Sequence, residues 1–528
     1  MKKYLFFICF ILLCSISFAQ IPKSEQEIRK EMAEQRENFY RQEMLKEQQM
    51  TATGENYDVK YYSIDLTPDT ATKTISSTVK IVGEVLASSL NSVDLDFAQQ
   101  SYSFTDIHLS GLPDDQLTYI QKTNLITINL DSTFLQGEQF SIEITYQGSP
   151  EEGFYFDTHN SKALIQVLVN KPFHWWPCKN VLTDRADSAD IRVTVPKEFV
   201  VVSSGLLKEV IIKGDTAIYW WHEQYPIKAG AIPLMIYPYE IHYDDYLYND
   251  GADTMKIHFY NFPRNYDNCR SLYDQVKDMI AFFVDRYGEY PFVWEKFSLA
   301  SFKAGVIKAD GFAQQTHISV AIYTAWCIAH ELSHQWWGNL IACKSAHHVW
   351  LSEGFAVYSE ALWYEHAKYP GDVSTAGEYL MVWCKYLGSG TIYAESGIFN
   401  VNLVYYKASW VLHMLRGIVG DDVFFEILRT YCASPEYRYS YATTEDFQGI
   451  CEQVSGINLE KFFHQWIYEE YYPFYEYNWN HTPDNNGHKV TLNVEQVQQE
   501  RVSESAPLFW MPIDIKITME NSDTTFVI

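Results

Sequence analysis

The sequence predicts an α+β, multidomain protein, and three observations carry that expectation. The chain has 528 residues, more than one ordinary domain holds, which suggests two to four domains. From about residue 53 to 245, short runs alternate apolar and polar side chains between turn residues, the pattern of half-buried strands. From Ser271 to about 470 the apolar spacing becomes helical, as at Val276, Met279, Ile280 and Phe283. The organisation expected is a signal peptide (1–19), a charged helical lead-in (20–52), a β-rich N-terminal domain (53–251), a mostly helical domain (252–470) and a short, partial β-sandwich module (471–528).

Each segment has its reason. Lys2 and Lys3 precede an apolar run, Tyr4 to Phe18, that is short for a bilayer span; Ser17 and Ala19 place small side chains before a cut at Gln20. Export to the periplasm or the extracellular space is therefore expected, with no stable transmembrane anchor after cleavage. In the lead-in, Ser24 and Glu27 have capping-box spacing. Strands are expected at 59–66, 125–130 and 140–146, and strand alternation returns at Val490-Leu492-Val494 and Ile513-Ile515-Ile517. The formal charge of 40 − 67 = −27 argues against nucleic acid or an anionic membrane surface as a partner. Seven cysteines remain once Cys9 and Cys14 leave with the signal, dispersed and without a C-x-x-C pair, which is neither a disulfide framework nor a structural zinc module.

One cluster carries chemistry: His330-Glu331-Leu332-Ser333-His334, H-E-x-x-H, in a stretch (322–337) expected to be helical, with Gly338-Asn339 as its stop. Positions i and i+4 share a helix face, so both imidazoles point at one spot, as the first two ligands of a zinc ion must. Glu331 lies beside them and can reach a water without ligating the metal. In a chain of this composition the bare motif is expected by chance roughly 0.06 times. Glu353 follows His334 by nineteen residues, in Trp350-Leu351-Ser352-Glu353-Gly354-Phe355-Ala356, and requiring an acid there lowers the figure to roughly 0.01. A third, anionic ligand from the next helix completes an open His₂Glu site with one position left for water.

H-E-x-x-H followed by W-L-x-E-G-F-A resembles the gluzincin metallopeptidases of the aminopeptidase N and leukotriene-hydrolase family. Trp176-Pro177-Cys178 with Asp184-Arg185-Ala186-Asp187, Tyr287-Gly288-Glu289-Tyr290-Pro291-Phe292 and Tyr405-Tyr406-Lys407 resemble further family stretches, in family order from about residue 55 to 528. The resemblance implies a saddle-like β-rich N-terminal domain over a thermolysin-like catalytic domain, without the family's large helical C-terminal domain. It implies one Zn2+ per chain held by His330, His334 and Glu353, Glu331 as general base, and Tyr405 as oxyanion stabiliser, with Tyr406 its rival within the motif. It places substrate binding at Gln166, Gly311, Phe312 and Ala313, and the partners it implies are peptide or protein substrates.

Two positions depart from the family pattern at the subsite that reads a free α-ammonium. The carboxylates expected there are replaced by Ala313 and Leu168, and Asp310 is the nearest substitute. A third departure is His348, preceded by His347, where the family often has an acid before Trp350. The leading expectation is thus an exported, aminopeptidase-type zinc metallopeptidase. The alternatives are an endopeptidase or blocked-peptide hydrolase, and an inactive, peptide-binding relative at the cell envelope. Cys178 and the Trp336-Trp337 pair are expected to pack in the core.

Overall fold

A computed structural model describes residues 55–98, 101–112, 116–167, 171–303, 311–321, 323–368, 374–381, 390–393, 400–484, 487–518 and 523–527. The expected signal peptide and lead-in lie outside these residues. The α+β class holds: strands fill the first part of the chain, and helices predominate after the strand His317–Val320. Among the described residues, no helix is long and apolar enough to cross a membrane.

The described residues form two compact units, one from within 31–352 with 428–443, the other from within 353–427 with 444–528. The first begins with strands β1 (Tyr57–Asp69), β2 (Thr74–Val85), β3 (Ser89–Asp96), β4 (Ser101–Leu109), β5 (Tyr119–Lys122), β6 (Leu125–Leu135), β7 (Gln139–Ser149), β8 (Phe154–His159) and β9 (Lys162–Val167). It continues with β10 (Ser188–Pro196), β11 (Val200–Val202), β12 (Leu206–Lys213), β13 (Thr216–Glu223) and β14 (Met235–Tyr237). They make a seven-stranded sheet in the order β12-β13-β10-β1-β2-β7-β4, a three-stranded sheet β3-β6-β5 and a four-stranded sheet β11-β14-β9-β8. Alternation decides which face is inside: along β2 every second side chain, from Ile75 to Val85, is buried. Trp176 sits in this core with its ring edge-on to Tyr62, and Cys178 is a fully buried thiol whose backbone pairs with Asp96.

A five-stranded sheet comes next: β15 (Glu240–Tyr248), β16 (Asp253–Asn261), β17 (Lys296–Ser301), β18 (Gly311–Gln314) and β19 (His317–Val320), in the order β15-β16-β17-β19-β18. Helix α1 (Tyr266–Tyr287) packs on it and ends at Gly288, whose φ of 94° is open to glycine. The helical periodicity of this region hid β17 to β19, strands of only six, four and four residues. The boundary expected at 251/252 falls in the turn between β15 and β16, two antiparallel partners in one sheet. Composition cannot see that boundary, because the pattern is strand on both sides of it.

Helix α2 (Ala325–Ser333) carries the H-E-x-x-H motif and is shorter than the expected 322–337. Thr324 caps its start, its side chain accepting from the Cys327 N–H. After Ser333 the chain tightens, with Gln335 N–H to Leu332 O and Trp336 N–H to Ser333 O, then widens as Asn339, Leu340 and Ile341 each bond five residues back. The short pair β20 (Ile341–Cys343) and β21 (Ser440–Ala442) adjoins that turn. Helix α3 (Trp350–Ala367) leads into the second unit, which holds α4 (Ala376–Met381), α5 (Ala408–Val419), most of α6 (Asp421–Ala433) and α7 (Thr444–Ser455). The chain then forms two separate hairpins, β22 (Tyr475–Asp484) with β23 (Gly487–Gln496) and β24 (Asp514–Thr518) with β25 (Asp523–Val527).

A buried carboxyl pair joins β13 to the strand entry of β17. The Tyr225 N–H donates to Glu223 Oε1 at 3.0 Å, the Gln224 N–H donates to Glu295 Oε1 at 2.8 Å, and both carboxyls are buried. Burial, and then the charge of Glu295, pushes Glu223 well above the carboxylate range, so Glu223 keeps its proton. The unfolded chain gives that proton up above about pH 4, so this contribution to stability is full in acid and is lost as pH rises. Thermal denaturation is expected to show Glu223→Gln raising Tm relative to wild type more at pH 8 than at pH 5. An equal shift at both pH values would contradict a Glu223 that keeps its proton.

Candidate active site

Helix α2 is buried on every side: all nine of its residues are inside the protein. His330, His334 and Glu353 are the one group among the described residues with metal-ligand composition and convergence. One ligand atom from each lies within 4.8 Å of the others, and all three side chains are buried. The imidazole rings of His330 and His334 stand edge to face with centroids 4.9 Å apart, the consequence of i, i+4 placement on one helix face. Glu353 lies in the first turn of α3, where the positive end of the helix dipole favours a carboxylate. Two imidazoles and one carboxylate form the open, three-ligand set of a catalytic zinc site, and the chemistry of these donors fits that ion.

The tautomer of His334 is set by a backbone carbonyl. Its Nδ1 lies 2.9 Å from the Trp337 carbonyl, which can only accept, so Nδ1 carries the proton and the Nε2 lone pair is left for metal. The Ser352 hydroxyl donates to the same carbonyl at 2.7 Å. The position where the family often has an acid is thus not what fixes this imidazole. His348 is buried in the 3-10 turn Ala346–His348.

Gln335 ties the metal helix to the sheet edge. Its side-chain NH₂ donates to the Gln314 carbonyl at 2.9 Å, and its oxygen accepts from the Thr316 N–H at 3.0 Å. Strand β18 is the last in its sheet, antiparallel to β19 and packed against α2. Gly311, Phe312 and Ala313 therefore lie along an outer strand beside the motif helix, and the Ala313 side chain is half-buried.

Gln166 is buried and bonded to main chain at both ends of its amide: the NH₂ donates to the Lys303 carbonyl at 3.0 Å, and the oxygen accepts from the Lys303 N–H at 3.1 Å. Those bonds fasten β9 to the end of β17. Leu168 and Asp310 lie outside the described residues. Glu331 is buried on α2, next to His330.

Tyr405 and Tyr406, both buried, lie in a π-helical turn, Asn402–Lys407, that runs directly into α5. Such wide turns are rare and cluster at functional sites. Gly354 explains the glycine of the W-L-x-E-G run: a Cβ there would meet the Ala408 Cβ at 2.6 Å, so α3 packs on this turn only without a side chain. Lys407, buried in the same turn, donates to the Glu469 carbonyl at 3.4 Å, and burial lowers its amine to about 8. Trp336 and Trp337 are buried, Trp336 donating from its indole to the Gly288 carbonyl at 3.1 Å.

Sequence reasoning missed Ser352 and Gln335. Both sit inside motif stretches, yet their roles are bonds to backbone atoms that spacing does not reveal. Removing the Ser352 hydroxyl is expected to loosen the carbonyl that orients His334. Ser352→Ala should weaken zinc binding about 10–100-fold in a chelator-competition titration while the chain still folds. Unchanged affinity would remove Ser352 from the metal site.

Comparison with known proteins agrees with this geometry. The model of the peptidase family M1 domain matches residues 273–387 and 391–466. Aminopeptidase M1 of Arabidopsis thaliana is 25% identical over 78% of this chain and 50% of its own length. Probable aminopeptidase 2 of Sulfurisphaera tokodaii is 21% identical over 73% of this chain and 51% of its own length. The chain thus spans about half the length of these relatives. Among solved structures, an M1 zinc metallopeptidase from Deinococcus radiodurans superposes with a TM-score of 0.68 at 20% identity, covering 78% of this chain and 93% of that one. A two-domain M1 zinc metallopeptidase mutant bound to L-tryptophan gives a TM-score of 0.67 over 78% and 94% of the two chains. The His₂Glu donor set, the M1 domain match and these likenesses together support a resemblance to the aminopeptidase N family of gluzincins.

Proposed function

We propose that this chain is an exported, zinc-dependent peptidase that hydrolyses peptide bonds, with aminopeptidase-type chemistry. The observation that carries the reading is the convergence of His330, His334 and Glu353 within 4.8 Å on buried positions, next to Glu331. A zinc ion in such a site lowers the pKa of water to about 7 and polarises a carbonyl. Glu331 takes the proton of the attacking water and passes it to the leaving amine. Strand β18, at the edge of its sheet, offers main-chain donors and acceptors along which an extended peptide can add as a further strand. Tyr405 stabilises the developing oxyanion with its phenol; its place in a π-helical turn supports that role. The signal-peptide form of residues 1–19 supports export.

A second reading has its own support. Ala313, on β18, brings no carboxylate to the substrate strand, and the amide of Gln166 is engaged by the Lys303 backbone at both ends. Both observations favour a site that does not demand a free α-ammonium, and so blocked or internal peptide bonds. An inactive, peptide-binding relative fits less well, because both imidazoles, the third ligand and the base are all present.

Peptide turnover by the zinc-loaded protein tests the reading. Glu331→Gln should keep stoichiometric zinc and lose about 10²–10⁴-fold in kcat; turnover at wild-type rate would remove Glu331 as the base. The same experiment with free and N-acetylated forms of one peptide separates the two readings: comparable kcat/KM for both is expected of the second, and strong preference for the free amine of the first. Tyr405→Phe should lower kcat about 10²–10³-fold with KM little changed, and Tyr406→Phe should not; the reverse order would move the role to Tyr406.

A further inference from the structure

Two cations, Arg185 buried and Lys228 half-buried, grip the turn that follows the metal helix. Arg185 lies in the D-R-A-D stretch before β10, and Lys228 follows β13. The Arg185 guanidinium donates from Nη1 to the Asn339 carbonyl at 2.6 Å and from Nη2 to the Ser440 carbonyl at 3.1 Å. The Lys228 ammonium donates to the Gly338 carbonyl at 3.3 Å. Neither has a carboxylate partner among the described residues. Burial brings the guanidinium down to about 10; burial, with the like charge of Arg185 added, brings the ammonium down to about 8.

A buried guanidinium and a half-buried ammonium with only carbonyls to receive them are costly to keep. An apolar pair could fill the same space, so the carbonyls they hold matter. Those carbonyls belong to Gly338 and Asn339, the residues directly after Trp337, whose carbonyl accepts from His334 Nδ1. The turn is narrow. Gly338 has a φ of 137°, its N–H donates to the Ile341 carbonyl at 2.8 Å, and a Cβ on it would lie 3.1 Å from the Ser352 hydroxyl. A small rotation of the peptide planes at 337–339 would therefore swing the Trp337 carbonyl away from the imidazole.

We propose that Arg185 and Lys228 are positioning residues for the metal centre: by holding the carbonyls of Asn339 and Gly338 they fix the backbone turn whose Trp337 carbonyl orients His334. The inference rests on the reading of His330, His334 and Glu353 as a zinc site. It gives the D-R-A-D arginine a task beyond packing, since a cation from the β-rich part of the chain sets the lie of a ligand on α2.

The test uses the full chain, stripped of metal, titrated with Zn2+ against a chromophoric chelator and separately loaded with Co2+ to read the visible ligand-field bands. Arg185→Gln and Lys228→Met should each weaken Zn2+ binding about 10-fold or more and shift the Co2+ bands. Arg185→Lys and Lys228→Arg, which keep the cation, should restore most of the affinity and the wild-type band positions. Should Arg185→Gln or Lys228→Met fail to fold, Arg185→Met and Lys228→Gln, which also remove the charge, take their place and are read by the same affinity and bands. Charge-removing variants that fold, yet bind Zn2+ as tightly as wild type with identical Co2+ bands, overturn it. A wild-type chain that takes up no Zn2+ would instead sink the zinc reading, and the two failures are told apart by that control.

Discussion

A helix sealed from water on every side cannot bring two imidazoles up to the carboxylate of Glu353 unless something answers each of them. That constraint governs the surroundings of α2. The interior penalises unpaired polar groups by several times what the same groups cost at a surface. The chain meets the demand with backbone atoms: a carbonyl faces one imidazole nitrogen, a hydroxyl shares that carbonyl, and a glutamine amide spans from the helix end to the neighbouring hairpin. One ligand atom of each imidazole lies within 4.8 Å of one on Glu353. A divalent ion is the partner that satisfies all three side chains at once.

The same solution recurs away from the motif. Gln166 reads the main chain of Lys303, Ser204 donates to the Gln315 carbonyl, the Gly205 N–H reaches the Thr316 hydroxyl, and Lys296 holds both the Ser203 carbonyl and Thr316. The hairpin between β18 and β19 is thereby gripped from Lys296 on β17, from the β11–β12 turn and from the end of α2. Side-chain-to-backbone bonds of this kind fix where a strand edge lies without demanding a shape of the strand's own side chains. The outer strand can therefore change its sequence, as at Ala313, while its main chain stays in place.

Much of this was legible in the amino-acid sequence, and the boundary of legibility has a physical cause. His330, Glu331, His334 and Glu353 announce themselves because helix geometry converts residue spacing directly into direction. Alternation gave β1, β6 and β7 for the same reason. The strands β17 and β19 were not legible: they are only six and four residues long, and Lys296 and His317 are buried in them along with the apolar residues. Helix α2 ends sooner than its composition suggests, because hydrogen bonds to the turn at 335–341, not propensity, set its length. The orienting bonds of Ser352, Gln335, Arg185 and Lys228 end on carbonyls whose positions exist only after folding. Gln166 was singled out from its place in a motif, but the partner it meets is a backbone.

The wide turn at Asn402–Lys407 has a geometric corollary. A π turn is an α-helix that has absorbed an extra residue, and one residue advances an α-helix by about 100°. Everything C-terminal to it on α5 is therefore rotated relative to everything before it, as though the helix had been twisted about its axis and resealed. The two tyrosines and the packing face of α5 thus answer to separate clocks. Deleting a single residue from that segment would not shorten the helix so much as reset its phase, carrying the phenols off their present bearing while leaving the apolar seam of α5 where it is.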